Sequence, residues 1–205
     1  MSKGVTDVPA ALTAEQKADD RGLLLDATES LIYANGVQAV GMDKIREVSG
    51  LSLKRIYSMF RTKEDIVVAV LRRRDVRWRA DLATFVEGFD DPTRRILAIF
   101  DWLRNWFGDT GFRGCAWVNI HGELGASSTA ILDEVRMHKQ AFREQITALT
   151  DAEQPEIADT IYLLAEGAIV TAGIAGTPEI ADVARRAAER LLSGCRVSTT
   201  PDRNS

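Results

Sequence analysis

Lys54, Arg55 and Ser58 lie on one side of a short segment, Leu53 to Phe60, whose Ile56 and Phe60 are spaced i, i+4 and face the other way. Two cations and a hydroxyl so grouped are donors suited to phosphate oxygens and to the edge of guanine. Tyr57 and Met59 fall on the flanks. Ser52 is placed to cap this segment as a helix, because its hydroxyl can accept an N–H of the first turn. Gly50, just before it, can take the positive φ that turns the chain sharply. Upstream, Met42-Asp-Lys-Ile-Arg-Glu-Val-Ser49 forms a first helix whose Met42, Ile45 and Val48 can share an inner face. Two short helices about a glycine turn make a helix-turn-helix, in which the second helix enters the major groove of DNA. An ordinary helical hairpin with solvated charges is the alternative.

Other chemistries lack their residues. Gly36 to Gly41 has the spacing of a phosphate-binding loop, but Met42-Asp43 stands where Lys-Ser or Lys-Thr is needed. His121-Gly-Glu123 resembles the His-x-Glu of zinc deaminases, yet no Pro-Cys-x-x-Cys follows. There is no Gly-x-Ser-x-Gly, His-Glu-x-x-His or Cys-x-x-Cys. With two histidines, His121 and His138, neither a metal site nor a cofactor is expected. An enzyme or a helical adaptor that binds protein is kept as a remote alternative.

These residues must be positioned by helices. The 205-residue chain is 45% hydrophobic and 27% charged, ordinary values for a folded protein with a core. Its net charge of −4 is uneven: Arg21 to Arg79 carries 12 Lys or Arg against 7 Asp or Glu, and the remainder 14 against 23. The basic third is the part expected to meet a polyanion. The five prolines all fall between apolar-periodic segments, and no run alternates with period two. The reading is all-α, with about nine helices: Ala14 to Asn35, Met42 to Ser49, Leu53 to Phe60, Lys63 to about Val86, Pro92 to Phe107, Cys115 to Leu124, Ser128 to Leu149, Glu153 to Ala175 and Pro178 to Leu192. Thr13 with Gln16 predicts a capping box, Gly36 a left-handed C-terminal cap, and Asp91-Pro92 and Thr177-Pro178 two caps followed by proline. Residues 1–12 and 195–205 are expected to be disordered tails. Cys115 and Cys195 are too few for a disulfide scaffold, and the N-terminus lacks an apolar signal core. The longest apolar stretch, Ile161 to Ala175, falls short of a span, so a cytoplasmic protein without a membrane partner is expected.

Leu25-Asp-Ala-Thr28, Leu31-Ile-Tyr-Ala-Asn-Gly36, Met42-Asp-Lys-Ile45, Gly50-Leu-Ser52, Ile56-Tyr-Ser-Met-Phe60 and Thr62-Lys-Glu-Asp-Ile66 follow in order at fixed spacing. Together they resemble the N-terminal domain of the TetR family of bacterial transcriptional repressors, over about Arg21 to Leu71. Tyr57, Phe60, Lys63 and Glu64 match the family's Tyr-x-x-Phe-x-x-Lys-Glu. The resemblance implies that Leu53, Lys54 and Arg55 open a recognition helix and face bases. It also implies that Tyr57, Ser58 and Met59 touch phosphates or base edges, and that Lys63 holds a phosphate. Gly41 stands where a Thr or Ser usually caps the second helix, Arg46 where a small residue is usual, and Lys54-Arg55 where Gly-Thr is commoner. The operator therefore cannot be borrowed from relatives. A DNA-binding domain at 13–62 and a ligand-binding and dimerisation domain at 63–194 follow from the resemblance.

In that second domain Trp78, Trp102, Trp106 and Trp117 cluster in sequence. An apolar pocket bounded by Trp102, Trp106, Trp117 and Phe142 is expected, with Asn119, His121, Glu123, Tyr162 and Glu166 as polar anchors for a small-molecule effector. The alternative is that the aromatics are simply core. Cys115 is expected as a small buried residue; a redox-responsive thiol is the alternative and would need positive charge nearby, for which Arg113 is the adjacent candidate. Glu153 to Ala175 is apolar on most of its circumference and must be covered on both sides. In a TetR-like homodimer its Ala165, Ala168 and Ala172, with Val183, Ala187 and Leu191 of the last helix, would form a four-helix interface.

Overall fold

The computed structural model describes residues 13–150 and 154–197. Among them are nine helices and no strand: α1 (Ala14–Asn35), α2 (Met42–Ser49), α3 (Leu53–Met59), α4 (Lys63–Glu87), α5 (Pro92–Gly108), α6 (Ala116–Leu124), α7 (Thr129–Thr147), α8 (Pro155–Ala175) and α9 (Ile180–Val197). Residues 1–12 and 198–205, expected as tails, lie outside the described set. Residues 195–197 continue α9 instead of starting a tail.

Local chemistry sets most of these boundaries. Thr13 Oγ1 accepts from the Gln16 N–H while the Gln16 side chain accepts from the Thr13 N–H, closing the capping box on α1. Asp91 caps α5 ahead of Pro92, and Ser128 caps α7. Gly36 has a positive φ of 86°, but its ψ of 156° is extended, so it ends α1 without the left-handed cap expected there. Thr177-Pro178 does not open α9. Thr177 accepts the Glu179 N–H at 3.4 Å in a turn, and the helix begins at Ile180.

The chain divides into two compact units, parted between Val70 and Leu71 within α4. The first unit buries Leu24, Leu25, Ile32, Val37, Val40, Ile45, Ile56, Phe60, Ile66 and Val67. Thr28, polar and buried among them, donates its hydroxyl to the Leu24 carbonyl at 2.8 Å, which removes the cost of an unpaired group. In the second unit α5, α8 and α9 pack on one another, α6 packs on α7, and α7 on α8. Phe100, Trp117 and Phe142 are its largest fully buried side chains. By length and composition α8 could cross a membrane, more than the sequence reading allowed. Packing against α5, α7 and α9 accounts for much of that apolar surface, since Ile157, Ile161, Ala165, Ala168, Ile169 and Ala172 are all buried there.

Where α8 passes the loop before α6, two glycines touch. A Cβ on Gly173 would stand 2.9 Å from the Gly114 Cα, and Gly114 holds a φ of 82° that leaves its backbone little freedom to yield. Gly173→Ala is therefore expected to lower stability by about 1–3 kcal/mol. Gly122→Ala, in the last turn of α6 with open space around it, is expected to gain up to about 1 kcal/mol. Urea unfolding of the two variants checks the contrast in sign.

Candidate nucleic-acid interface and effector region

The first unit presents α2 and α3 joined at Gly50, whose φ of 70° and ψ of 3° are left-handed. Ser52 Oγ accepts the Arg55 N–H at 3.2 Å and fixes the first turn of α3. Ile56 and Phe60 anchor α3 inward. On α2 only Ile45 is buried; Val48, expected beside it, is exposed. Residues three apart drift by about 60° around a helix, so one of Met42, Ile45 and Val48 can face the core squarely.

The outward side of α3 is smaller than its sequence implies. Lys54, Tyr57 and Ser58 are exposed, and Leu53 and Met59 are half-buried. Arg55 is not free: its Nε donates to Asp20 Oδ2 of α1 at 2.6 Å, and the pair is largely covered. Lys63 is also engaged, with Nζ donating to the Val37 carbonyl at 2.6 Å. Ser58 turns its hydroxyl proton to the Arg55 carbonyl at 2.6 Å. In this structure Arg55 and Lys63 tie the unit together, the first across 35 residues of sequence and the second across 26. Gly41 offers α2 no side-chain cap, and Arg46 lies exposed, 3.8 Å from Asp43.

Residues 24–70 match the family model described as bacterial regulatory proteins, tetR family. Over that segment the N-terminal unit matches the tetR family. No curated protein matches the chain at a significant level of sequence similarity. Solved structures share the TetR-like fold. A TetR-family transcriptional regulator from Streptomyces coelicolor is 23% identical at a TM-score of 0.79, over 86% of this chain and 96% of its own. The reduced form of NemR from E. coli is 22% identical at 0.75, over 84% and 96%. A TetR transcriptional regulator from Chloroflexus aurantiacus is 21% identical at 0.75, over 87% and 96%.

In the second unit of this TetR-like chain the eight expected pocket residues do not converge. Trp102 and Trp106, half-buried, line an open cleft of about 300 Å³ with Trp78, Arg74, Arg77 and Asn105. Trp117 and Phe142 are core. Asn119 is exposed and donates its amide to the Arg113 carbonyl at 2.9 Å, and His121 is exposed. Tyr162 meets the Phe142 ring edge-on at 5.7 Å, and burial raises its hydroxyl pKa. Glu166 accepts two bonds from Lys139 Nζ at 2.6 and 2.8 Å, and the same Nζ lies 3.5 Å from Cys115 Sγ. Burial works against the Lys139 ammonium, but Cys115 and Glu166 outweigh it and hold its pKa above the usual value. The positive charge beside the thiol is therefore Lys139, not the Arg113 adjacent in sequence.

The hub of the aromatic cluster is Trp78, edge-on to Trp102 at 5.0 Å, Trp106 at 5.7 Å and Phe142 at 4.9 Å. Sequence reasoning also missed His138. The ring is 3% exposed, stacked on Trp117 at 3.5 Å, with Nδ1 2.7 Å from Asp75 Oδ1. Arg79 donates three bonds to the two Asp75 oxygens at 2.7–3.0 Å, two from Nε and one from Nη2. Burial opposes ionisation of Asp75, yet His138 and Arg79 together bring its pKa down to about 2. Burial, only partly offset by Asp75, lowers the His138 pKa. Asp75 is then an acceptor and His138 a neutral ring that carries its proton on Nδ1. Only the Asp75–Arg79 spacing of i, i+4 was a readable signal. Among the described residues no cluster of three or more His, Cys, Asp and Glu could hold a metal ion.

Proposed function

We propose that the chain is a ligand-responsive transcriptional repressor, cytoplasmic, binding a palindromic operator as a homodimer and released by a small, largely apolar effector. The exposed face of α3 carries the reading: Lys54, Tyr57 and Ser58 stand outward on a helix fixed by the Gly50 turn and the Ser52 cap. Lys54 is assigned the base or phosphate contact at the centre of that face, Tyr57 and Ser58 the flanking phosphates, and Leu53 and Met59 apolar contact with base edges.

The homodimer is supported by α8 and α9. Ala165 and Ala172, expected at the interface, are buried in the protomer's own core, and Ala168 floors a groove. Two residues from these alanines, and so on roughly the opposite side of the helix, Leu163, Val170 and Ile174 are exposed, as is Val183 on α9. Leu163, Gly167, Val183 and Ala187 border that groove of about 300 Å³. The apolar face shifts to Leu163, Val170, Ile174 and Val183, with Ala187 and Leu191 at its half-buried margin. For release, the effector must bind the non-operator arrangement of the dimer better than the operator-bound one.

Lys54→Ala is expected to weaken operator binding by about 1–3 kcal/mol with thermal stability unchanged, since its side chain is exposed. Gel shift against a selected operator checks this, and unchanged affinity would remove α3 as the reader. A second reading, a redox response through Cys115, is favoured by the Lys139 ammonium at 3.5 Å. Peroxide would then release operator from the wild type and not from Cys115→Ser.

A further inference from the structure

Apart from the tryptophan cleft, the second unit holds a cavity of about 210 Å³ walled by Leu71, Val76, Trp117 and Met137, with His138 and Asp75 on its lining. We propose that this cavity binds a small uncharged aromatic alcohol, its hydroxyl donating to His138 Nε2 and its ring lying among Leu71, Val76 and Met137. The inference uses the effector reading only for its regulatory consequence.

Three observations carry it. The first is the polar inventory. Nδ1 of His138 is committed to Asp75 at 2.7 Å, so a neutral ring leaves Nε2 as a hydrogen-bond acceptor. An acceptor selects a ligand that donates. The second is charge. The cations at the cavity are matched in place: Arg79 by Asp75 at 2.7–3.0 Å, and Arg72 by the buried carboxylate of Glu134, with Nε at 2.8 Å. A charged ligand finds no unmatched partner there, and its desolvation would go uncompensated. The third is pre-organisation. His138 is held by the Asp75 bond and by a stack on Trp117 with planes 4° apart, so the ring that lines the cavity is fixed in orientation before any ligand arrives. The volume lies below the roughly 300–1,000 Å³ of drug-sized sites and suits a one-ring molecule.

Phenol and anisole are the probes, one with a hydroxyl donor and the other its methyl ether. Titrated into the full chain, phenol is expected to bind at least about tenfold more tightly, the value of one buried hydrogen bond. With isotope-labelled histidine, the Nε2 resonance of His138 should move with phenol and stay with anisole. His138→Phe should keep the stack on Trp117 and abolish the preference between the two probes. Equal affinities, no binding of either, or phenol binding that leaves the Nε2 resonance in place would overturn the proposal; the resonance test needs only the wild type, so it stands if the variant fails to fold. Phenol that binds at His138 but leaves operator binding intact supports the site and counts against the effector reading alone.

Discussion

Leu163→Glu combined with Val183→Glu is expected to turn a dimer into a monomer at micromolar concentration and to lower operator affinity by roughly 100-fold or more. Leu163 and Val183 are 67% and 56% exposed in the protomer, so two carboxylates there leave its own core intact. In a four-helix interface each carboxylate would meet its twin near the symmetry axis, desolvated and without a counter-charge, at several kcal/mol per ion. About 3 kcal/mol already corresponds to two decades of affinity. Sedimentation equilibrium with gel shift checks both parts. Ala168→Arg serves as the contrast: Ala168 is 3% exposed, so that variant is expected to lose folding before it loses association.

Asp75→Ala is expected to cost about 2–4 kcal/mol, a fall in Tm on the order of 5–15 °C for a chain of this size. The variant leaves the Arg79 guanidinium and His138 Nδ1 without the acceptor they share. The pH dependence separates this loss from simple loss of packing. In the wild type the Asp75 carboxyl has a pKa of about 2, against an ordinary 3.8. Its contribution, about 2 kcal/mol, is complete above pH ~4 and is lost as pH falls through the folded value near 2. His138, whose folded pKa is lowered, works in the same sense at higher pH. The unfolded chain takes up its proton first, so stability declines as pH falls below about 6.5. Urea unfolding between pH 2 and 8 should show the lower of these slopes in the wild type and not in Asp75→Ala.

The helices were legible because their signals are local. Thr13 with Gln16, Ser52 and Asp91-Pro92 sit within four residues of the groups they cap, so sequence spacing is spatial spacing. The helix-turn-helix was legible for the same reason. What escaped depends on contacts far apart in sequence. Asp20 reaches Arg55 across 35 residues, and His138 reaches Asp75 across 63. No periodicity reports such pairs, so Arg55 looked outward and His138 went unassigned. The facing of α8 was hidden differently. A helix apolar on nearly all sides has no polar face to orient it, and the small-residue stripe Ala165, Ala168 and Ala172 proved to be the inward one. The expected pocket residues are spread because three tryptophans near one another in sequence, Trp102, Trp106 and Trp117, divide between cleft and core once α4 and α7 supply Trp78, His138 and Phe142.

The most direct test of the central claim is selection of duplexes from a random DNA pool by the full chain. Enrichment of an inverted repeat, its half-sites related by the two-fold axis of a dimer, is the predicted result, with Lys54→Ala relaxing the choice at one base pair in each half. A pool that shows no enriched sequence, or an asymmetric single site indifferent to Lys54, would contradict a dimeric reader built on α3.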